Sequence, residues 1–177
     1  MRHVALILIA LAAGTGNSWA QSPEFDSLVA VSRNRELNDA PRLVALDSLA
    51  ARTLRILRAN PSAKTVPLPE NALRTESPDG RIAVVTLNAP LNDGSYAYRG
   101  IAGRPDGAKG MVWVPLTEGQ WPEAIVYRIT SARYRRKTYY MSLWFRPHLN
   151  GVQEKGIEPV IPTRSRLVFG ARVFAVK

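Results

Sequence analysis

From residue 77 onward the chain alternates apolar and polar side chains, and this period constrains its fold more than any other feature. Ile125, Tyr127 and Ile129 alternate with Arg128 and Thr130, which is typical of a strand with one buried face. The period predicts strands over residues 81–88, 95–102, 110–116, 124–131 and 138–146, with one or two more in 166–176. No helical pattern separates them, so an antiparallel meander is favoured over a parallel sheet.

Aspartate-glycine steps stand between the predicted strands. Asp79, Asp93 and Asp106 each precede a glycine, and glycine adopts the positive φ that tight turns require. A calcium loop would need oxygen ligands at alternate positions closed by a glutamate, and none of these stretches has that series. The three aspartates are therefore predicted to be turn residues, and the sequence predicts no metal site.

The N-terminal part follows a helical period instead. In residues 39–58, leucines recur at steps of three and four, with Asp39 positioned to cap the helix and Pro41 in its first turn. A shorter helix is predicted to begin near Ser22 and Pro23. The arginines of the long helix, among them Arg42, are expected to lie away from its buried leucine stripe.

These patterns define four segments: a leader over residues 1–20, a helical segment over 21–60, a proline-containing linker over 61–76, and a β domain over 77–177. The helical segment and the β domain are expected to form one globular unit. The predicted fold class is α+β, with N-terminal helices packed on a C-terminal antiparallel sheet that forms a sandwich or a partly open barrel. The long helix is expected to cover one face or edge of that sheet.

Residues 1–20 have the three parts of a secretory signal peptide: a positive charge at Arg2, an apolar run over 4–13, and small residues at Ser18 and Ala20. The apolar run is shorter than the ~20 residues that span a bilayer. We expect cleavage after Ala20 and export to the periplasm or beyond. The sequence contains no cysteine, so disulfides, thiol nucleophiles and thiolate metal sites are excluded.

The formal net charge is +10, and removal of Arg2 with the signal peptide lowers it by one. A strongly basic protein is attracted to anionic surfaces such as lipid phosphates, acidic polysaccharides or nucleic acid. The densest basic stretch, predicted to join two strands, consists of Arg133, Arg135, Arg136 and Lys137. We consider it a candidate anion-binding site, with an ordinary solvated hairpin loop as the alternative.

Four aromatic residues, Tyr96, Tyr98, Tyr140 and Trp144, are candidates for a ligand-stacking surface, with core packing as the alternative. Few residues suit catalysis, because His148 is the only histidine after residue 20 and no G-x-S-x-G elbow accompanies it. A carboxylate pair for glycoside hydrolysis would have to come from acidic residues near the predicted strand ends, namely Glu118, Glu123, Glu154 and Glu158.

Several motifs recur together in one order: SPDGR at 77–81, PLNDGSYAYRG at 90–100, Trp121 followed by IVYRI, the Tyr139-Tyr140 pair, KGIE at 155–158, and FGARVF at 169–174. In these motifs the chain resembles an uncharacterised family of secreted proteins from Bacteroidetes-type bacteria. The resemblance covers residue 77 to the C-terminus and implies export and an antiparallel sheet domain. Two positions depart from it: Leu87 replaces a tryptophan, and Leu143-Trp144-Phe145 replaces a Leu-Gly-Trp-Asp step. The resemblance implies no reaction and no catalytic residues.

Together these features favour a non-enzymatic module of the cell envelope that binds an anionic component or an envelope protein. Two alternatives stay open: a glycan- or cell-wall-directed hydrolase that uses a carboxylate pair, and a secreted nucleic-acid binder. No cofactor is predicted for any of the three, because the sequence has neither a Walker loop nor a dinucleotide fingerprint.

Overall fold

The computed structural model of the chain describes residues 23–63, 65–107, 110–134, 136–148 and 151–170. The predicted signal peptide and its cleavage site, Arg135, and the predicted C-terminal strand beyond residue 170 lie outside these ranges. Within them, no helix is long and apolar enough to cross a membrane.

In the described part of the chain, two helices precede eight strands, which confirms the predicted α+β class. The helices are α1 (Pro23–Arg33) and α2 (Asp39–Ala59). The strands are β1 (Ala72–Glu76), β2 (Ala83–Pro90), β3 (Tyr96–Pro105), β4 (Met111–Leu116), β5 (Ile125–Tyr134), β6 (Lys137–Pro147), β7 (Gln153–Pro162) and β8 (Leu167–Phe169).

The strands form two antiparallel meanders of four. Sheet A has the order β1-β2-β3-β4 and sheet B the order β5-β6-β7-β8. The two sheets adjoin along β1 and β5, where the hydroxyl of Thr75 donates a hydrogen bond to the carbonyl of Val126 at 2.7 Å. Antiparallel pairing throughout is the arrangement that the alternating sequence predicted.

Sheet A is the middle of three layers. Val85 and Leu87 of β2 pack with Leu46 and Leu49 of α2, whereas Val84 packs with the core side chains of sheet B. Because consecutive side chains of a strand point to opposite faces, β2 has to be apolar on both. The helices therefore cover one face of sheet A, as predicted, and sheet B covers the other.

The outer face of sheet B has no layer over it among the described residues. Tyr127, Ile157 and Ile161 are exposed apolar side chains on this sheet, and Ile157 retains 64% of its accessible surface. Tyr127 is the extra residue of a β-bulge, because the pairing register shifts between Val126 and Arg128.

One arginine of α2 departs from the sequence prediction. Arg42 is fully buried, so the expectation that it lies away from the buried stripe is wrong. Its guanidinium donates hydrogen bonds to the carbonyl of Pro90 at 2.8 Å, to Asp39 at 2.6 Å and to Asn92. A buried charge is tolerated when its donors are paired in this way, and here they attach the start of α2 to the β2–β3 turn.

Two strands were not predicted from the sequence. β1 occupies the last five residues of the segment predicted as a linker, so the irregular connection ends before Ala72. β7 contains Gly156, Pro159 and Pro162, and only Val160 in it is buried. Glycine and proline lower the strand signal, and the mostly exposed side chains remove the apolar alternation that would have identified β7.

The turn predictions are confirmed. Gly80, Gly94 and Gly107 have φ values of 66°, 88° and 55°. The Asp79 carboxylate accepts hydrogen bonds from the hydroxyl of Ser77 at 2.7 Å and the backbone N–H of Arg81 at 3.2 Å. The Asp93 carboxylate likewise accepts a hydrogen bond from the backbone N–H of Ser95 at 2.9 Å. Asp79 and Asp93 thus stabilise their own turns.

Candidate functional site

The turns at one end of the sandwich collect positive charge. We call this surface the basic end, and its residues are Arg81, Arg104, Arg133, Arg136, Lys137 and Arg164. Three connections meet there: the β1–β2 turn, the β3–β4 turn and the β7–β8 turn. A surface with concentrated charge of one sign raises the local concentration of counter-ions and of charged partners.

A cavity of about 740 Å³ lies at the basic end. Arg81, Arg104 and Arg164 line it, together with Asp106 and neighbouring turn residues. The Arg104 side chain is half-buried, and its Nε–H is a buried donor without a hydrogen-bond partner among the described residues. Three guanidinium groups and one acidic residue line the cavity and leave it positively charged, which suits a phosphate or carboxylate ligand.

The predicted basic cluster lies at the same end, on the β5–β6 hairpin. Arg133, Arg136 and Lys137 are exposed, and Arg136 has a φ of 65°, as expected at a tight turn. The hydroxyl of Tyr140 donates a hydrogen bond to Asp79 at 2.6 Å, which places this part of β6 beside the β1–β2 turn. Lys137 lies three residues farther along, or about 10 Å at strand spacing, so the hairpin projects beyond the cavity. Arg135 lies outside the described residues.

Tyr140 is not a surface residue, which corrects its assignment as an exposed aromatic. It retains 2% of its accessible surface and packs between the sheets. Burial and the hydrogen bond to Asp79 raise the pKa of Tyr140 to about 12. Burial alone would raise the pKa of Asp79, but the hydrogen bonds from Tyr140, Ser77 and the backbone of Arg81 together lower it. The pair is a structural contact between the two sheets.

Trp144 also faces inward, so it does not form the predicted stacking surface. It packs against the core between the sheets, and its indole Nε1–H is buried without a described partner. The guanidinium of Arg146 lies over the Trp144 ring, 5.6 Å from the ring centroid, which is within the range of a cation–π interaction.

The opposite end of the sandwich contains a second site, a cleft of about 750 Å³ that we call the edge cleft. The residues that define it are Tyr96, Tyr98, Arg99, Glu118, Trp121, Glu123 and Arg146. It lies where β4 ends, because Leu116 pairs with Gly100 and no residue of β4 pairs with the first four residues of β3. The edge cleft thus brings together two of the predicted aromatic candidates and two of the predicted glutamates.

Arg146 fastens the loop that forms one wall of the edge cleft. Its guanidinium donates to the carbonyl oxygens of Glu123, at 3.2 Å, and Pro122. The Glu123 carboxylate accepts the backbone N–H of Gly119 at 2.8 Å, and Glu123 has a φ of 49°. A non-glycine residue in this conformation persists only where the surroundings hold it, so the loop over residues 117–123 has a defined shape.

Tyr98 retains 7% of its accessible surface, so it is not an exposed aromatic residue but part of the cleft wall. Its hydroxyl has no hydrogen-bond partner among the described residues. Burial raises the pKa of Tyr98 to about 12, an effect that the positive charge of Arg146 reduces. The Tyr96 ring lies 6.4 Å from it, centroid to centroid, so the two tyrosines share one face of β3.

The other two predicted acidic candidates do not line the edge cleft. Glu154 forms an ion pair with Arg146 at 2.8 Å and lies 3.4 Å from His148. Glu158 lines a different cavity, and burial raises its pKa. Across the described part of the chain, no three histidine, aspartate or glutamate side chains come together as metal ligands.

The sequence did not identify Arg81, Arg104 and Arg164 as a group, because they are far apart along the chain. Each is a single arginine beside a different predicted turn. A search for basic residues at alternate turns of a meander would have found them, because alternate turns lie at the same end of the sheet.

No family model, curated protein or solved structure matches this chain. The functional argument therefore depends on the geometry of the basic end and of the edge cleft.

Proposed function

We propose that this chain is an exported, non-enzymatic binding module of the cell envelope, and that its basic end binds an anionic envelope component. The ligand chemistry is a series of phosphate or carboxylate groups, such as those of anionic lipids or acidic polysaccharides. The observation that carries the proposal is the cavity at the basic end, where Arg81, Arg104 and Arg164 line the wall with one acidic residue, Asp106. Guanidinium groups suit this role because they bind phosphate and carboxylate through paired hydrogen bonds.

The hairpin residues Arg133, Arg136 and Lys137 support the same proposal by extending the positive surface beyond the cavity. Their side chains are exposed, so they act through long-range attraction rather than through a shaped pocket. The cavity selects the anionic group, and the hairpin attracts the polymer that carries it. The two parts of this surface thus have complementary roles.

The proposal is tested by co-sedimentation of residues 21–177 with three probes over a salt series. The probes are vesicles of a zwitterionic lipid, the same vesicles with an anionic phospholipid added, and insoluble peptidoglycan. We expect pelleting with an anionic probe at low salt and its loss as salt rises. Each basic residue near an anionic surface contributes about 1 kcal/mol, so Arg81→Gln with Arg164→Gln should weaken binding by about 10- to 30-fold.

A matched variant removes the same charge elsewhere. Arg35 and Arg128 are exposed and lie away from the basic end, so Arg35→Gln with Arg128→Gln should retain most of the binding. Equal losses in the two double variants would show that net charge alone is responsible, and no pelleting at low salt would refute the proposal. Tighter binding to a single-stranded DNA oligonucleotide than to either anionic envelope probe would favour the nucleic-acid alternative instead.

A further inference from the structure

Sheet A has a free edge at the edge cleft, at the opposite end of the sandwich from the basic end. β4 pairs with β3 only from Gly100 to Pro105. After Leu116 the chain turns away, and the N–H of Gln120 donates to the carbonyl of Thr117 at 3.1 Å. Residues 96–99 of β3 consequently have β2 on one side and no described strand on the other.

The hydrogen-bond pattern of sheet A shows which backbone groups face this free edge. The N–H of Asn88 donates to Asn71, and the carbonyl of Ile82 accepts from Ser77. Even-numbered residues of β2 therefore bond towards β1 and odd-numbered residues towards β3. Hydrogen-bonded and non-hydrogen-bonded pairs alternate in an antiparallel ladder.

Applied to the β2–β3 register, this alternation assigns the orientation of each backbone group in β3. Ala89 pairs with Ala97, which makes a hydrogen-bonded pair, and Asn88 pairs with Tyr98, which does not. The N–H and C=O groups of Tyr96 and Tyr98 therefore point away from β2 and into the edge cleft. They stand two residues apart, a spacing of about 6.6 Å.

Two side chains in the edge cleft, Tyr98 and Arg99, also affect what can bind at this edge. The Tyr98 hydroxyl is buried without a described partner, which costs free energy unless a ligand supplies one. Arg99 covers part of the edge, since its Nη1 donates to the carbonyl of Tyr98 at 2.9 Å while its Nε binds Asp47. A carbonyl oxygen has two lone pairs, so the Tyr98 carbonyl retains one for a partner.

We propose that the edge cleft binds an extended segment of another polypeptide, which pairs antiparallel with residues 96–99 of β3 along the line that β4 leaves at Leu116. One residue of that segment pairs with Tyr98, and the residue two positions on pairs with Tyr96. A polypeptide fits better than a glycan because its donors and acceptors repeat at the spacing of the exposed groups of β3. This is strand addition to a sheet edge, in which the backbone supplies affinity and pockets for alternate side chains supply selectivity.

The test begins with selection of peptide binders from a phage-displayed library of random short peptides against residues 21–177. The site is then located by amide hydrogen exchange. We expect the N–H groups of Tyr96 and Tyr98 to exchange quickly in the free protein and to be protected when a selected peptide is bound. Protection elsewhere, with none at these two amides, would overturn the proposal.

Two variants at one position isolate the backbone contribution. Tyr96→Ala removes the ring and retains the N–H, whereas Tyr96→Pro removes both. Tyr96 is the first residue of β3 and its N–H faces the cleft, so proline costs no hydrogen bond within the sheet. We expect Tyr96→Pro to bind a selected peptide at least about fivefold more weakly than Tyr96→Ala, the value of one hydrogen bond. Equal affinities would overturn the proposal.

Tyr98→Phe distinguishes a role of the hydroxyl in peptide binding from a role in stability. Because the hydroxyl has no described partner, its removal should leave the melting temperature unchanged or raise it, while peptide affinity falls by about fivefold. A lowered melting temperature with unchanged affinity would contradict this. Binding of chitohexaose in place of peptides, or release of reducing sugar that depends on Glu118 and Glu123, would assign the cleft to a glycan instead.

Discussion

At the residue scale, the contact between Tyr140 and Asp79 links the stability of the fold to pH. Asp79 has a lowered pKa, so its contribution to stability is present above its unfolded pKa, near 3.8, and is lost as the pH falls through the lowered value. Tyr140 has a pKa raised from 10.0 to about 12, so its contribution is present below pH 10 and is lost as the pH rises towards 12. The contact is therefore weakened in both acid and strong alkali.

We expect Tyr140→Phe to lower the free energy of unfolding by about 2 kcal/mol at neutral pH, because a hydrogen bond to a charged group is lost. The difference from the parent protein should shrink as the pH falls below 3.8 and through the lowered pKa of Asp79, where the carboxylate becomes protonated in the folded parent. Urea unfolding at both pH values measures this. Tyr139→Phe is the control, since Tyr139 points to the other face of β6. A loss from Tyr140→Phe that stays the same in acid would contradict the assignment.

At the element scale, glycines within the strands allow tryptophan rings to pack directly against the backbone. Gly156 pairs with Trp144 across β6 and β7, and a Cβ at Gly156 would overlap the indole. A Cβ at Gly103 would lie 2.7 Å from the Trp113 ring, and one at Gly100 would lie 3.0 Å from Trp121. Glycine within a strand often marks such a close approach, so these glycines have a packing role that turn rules do not cover.

Gly156→Ala should destabilise the protein by about 2–3 kcal/mol, because the rigid indole has to move. Gly119→Ala is the control: no atom lies within 4 Å of its Cβ position, so its cost is only the roughly 1–2 kcal/mol of placing an alanine at positive φ. Thermal or urea unfolding of both variants measures the difference. If the overlap with Trp144 is the cause, the cost of Gly156→Ala should fall in a Trp144→Ala background, as a double-mutant cycle would show.

At the scale of the whole molecule, the three layers make sheet A dependent on the helices. Val85, Leu87, Ile101 and Trp113 are all buried by residues of the helical layer or by side chains packed with it. Burial of a large apolar side chain contributes about 1.5–3 kcal/mol, and a domain is stable by only about 5–15 kcal/mol. The sheets are therefore not expected to fold without the helices.

A chain that begins at residue 65 should lack cooperative thermal unfolding and should aggregate, because one face of sheet A is uncovered. A chain that begins at residue 36 loses only α1, with Phe25 and Val29 as its buried core side chains, and should still unfold cooperatively at a lower temperature. Circular dichroism and size-exclusion chromatography measure both. A soluble, cooperative protein from residue 65 onward would show that the two sheets are an independent unit.

The strands and helices that the sequence predicted correctly have signals within a few neighbouring residues. The leucine period predicted α2, the aspartate-glycine steps predicted the turns, and simple alternation predicted β5 and β6. β1 and β7 gave no such signal, because their partners rather than their own residues determine that they are strands. The signal peptide, export and the family resemblance stay predictions.

The sequence by itself determined the two structural regimes, the antiparallel connectivity and the turn residues, because these follow from local backbone preferences. Only the tertiary structure decided which charged and aromatic side chains meet. Arg81, Arg104 and Arg164 converge because alternate turns share one end of a meander, and Tyr98 lines one cleft with the loop that Arg146 holds. These contacts join residues about 20 to 80 positions apart, and such distances along the chain are bridged only by the packing of complete sheets.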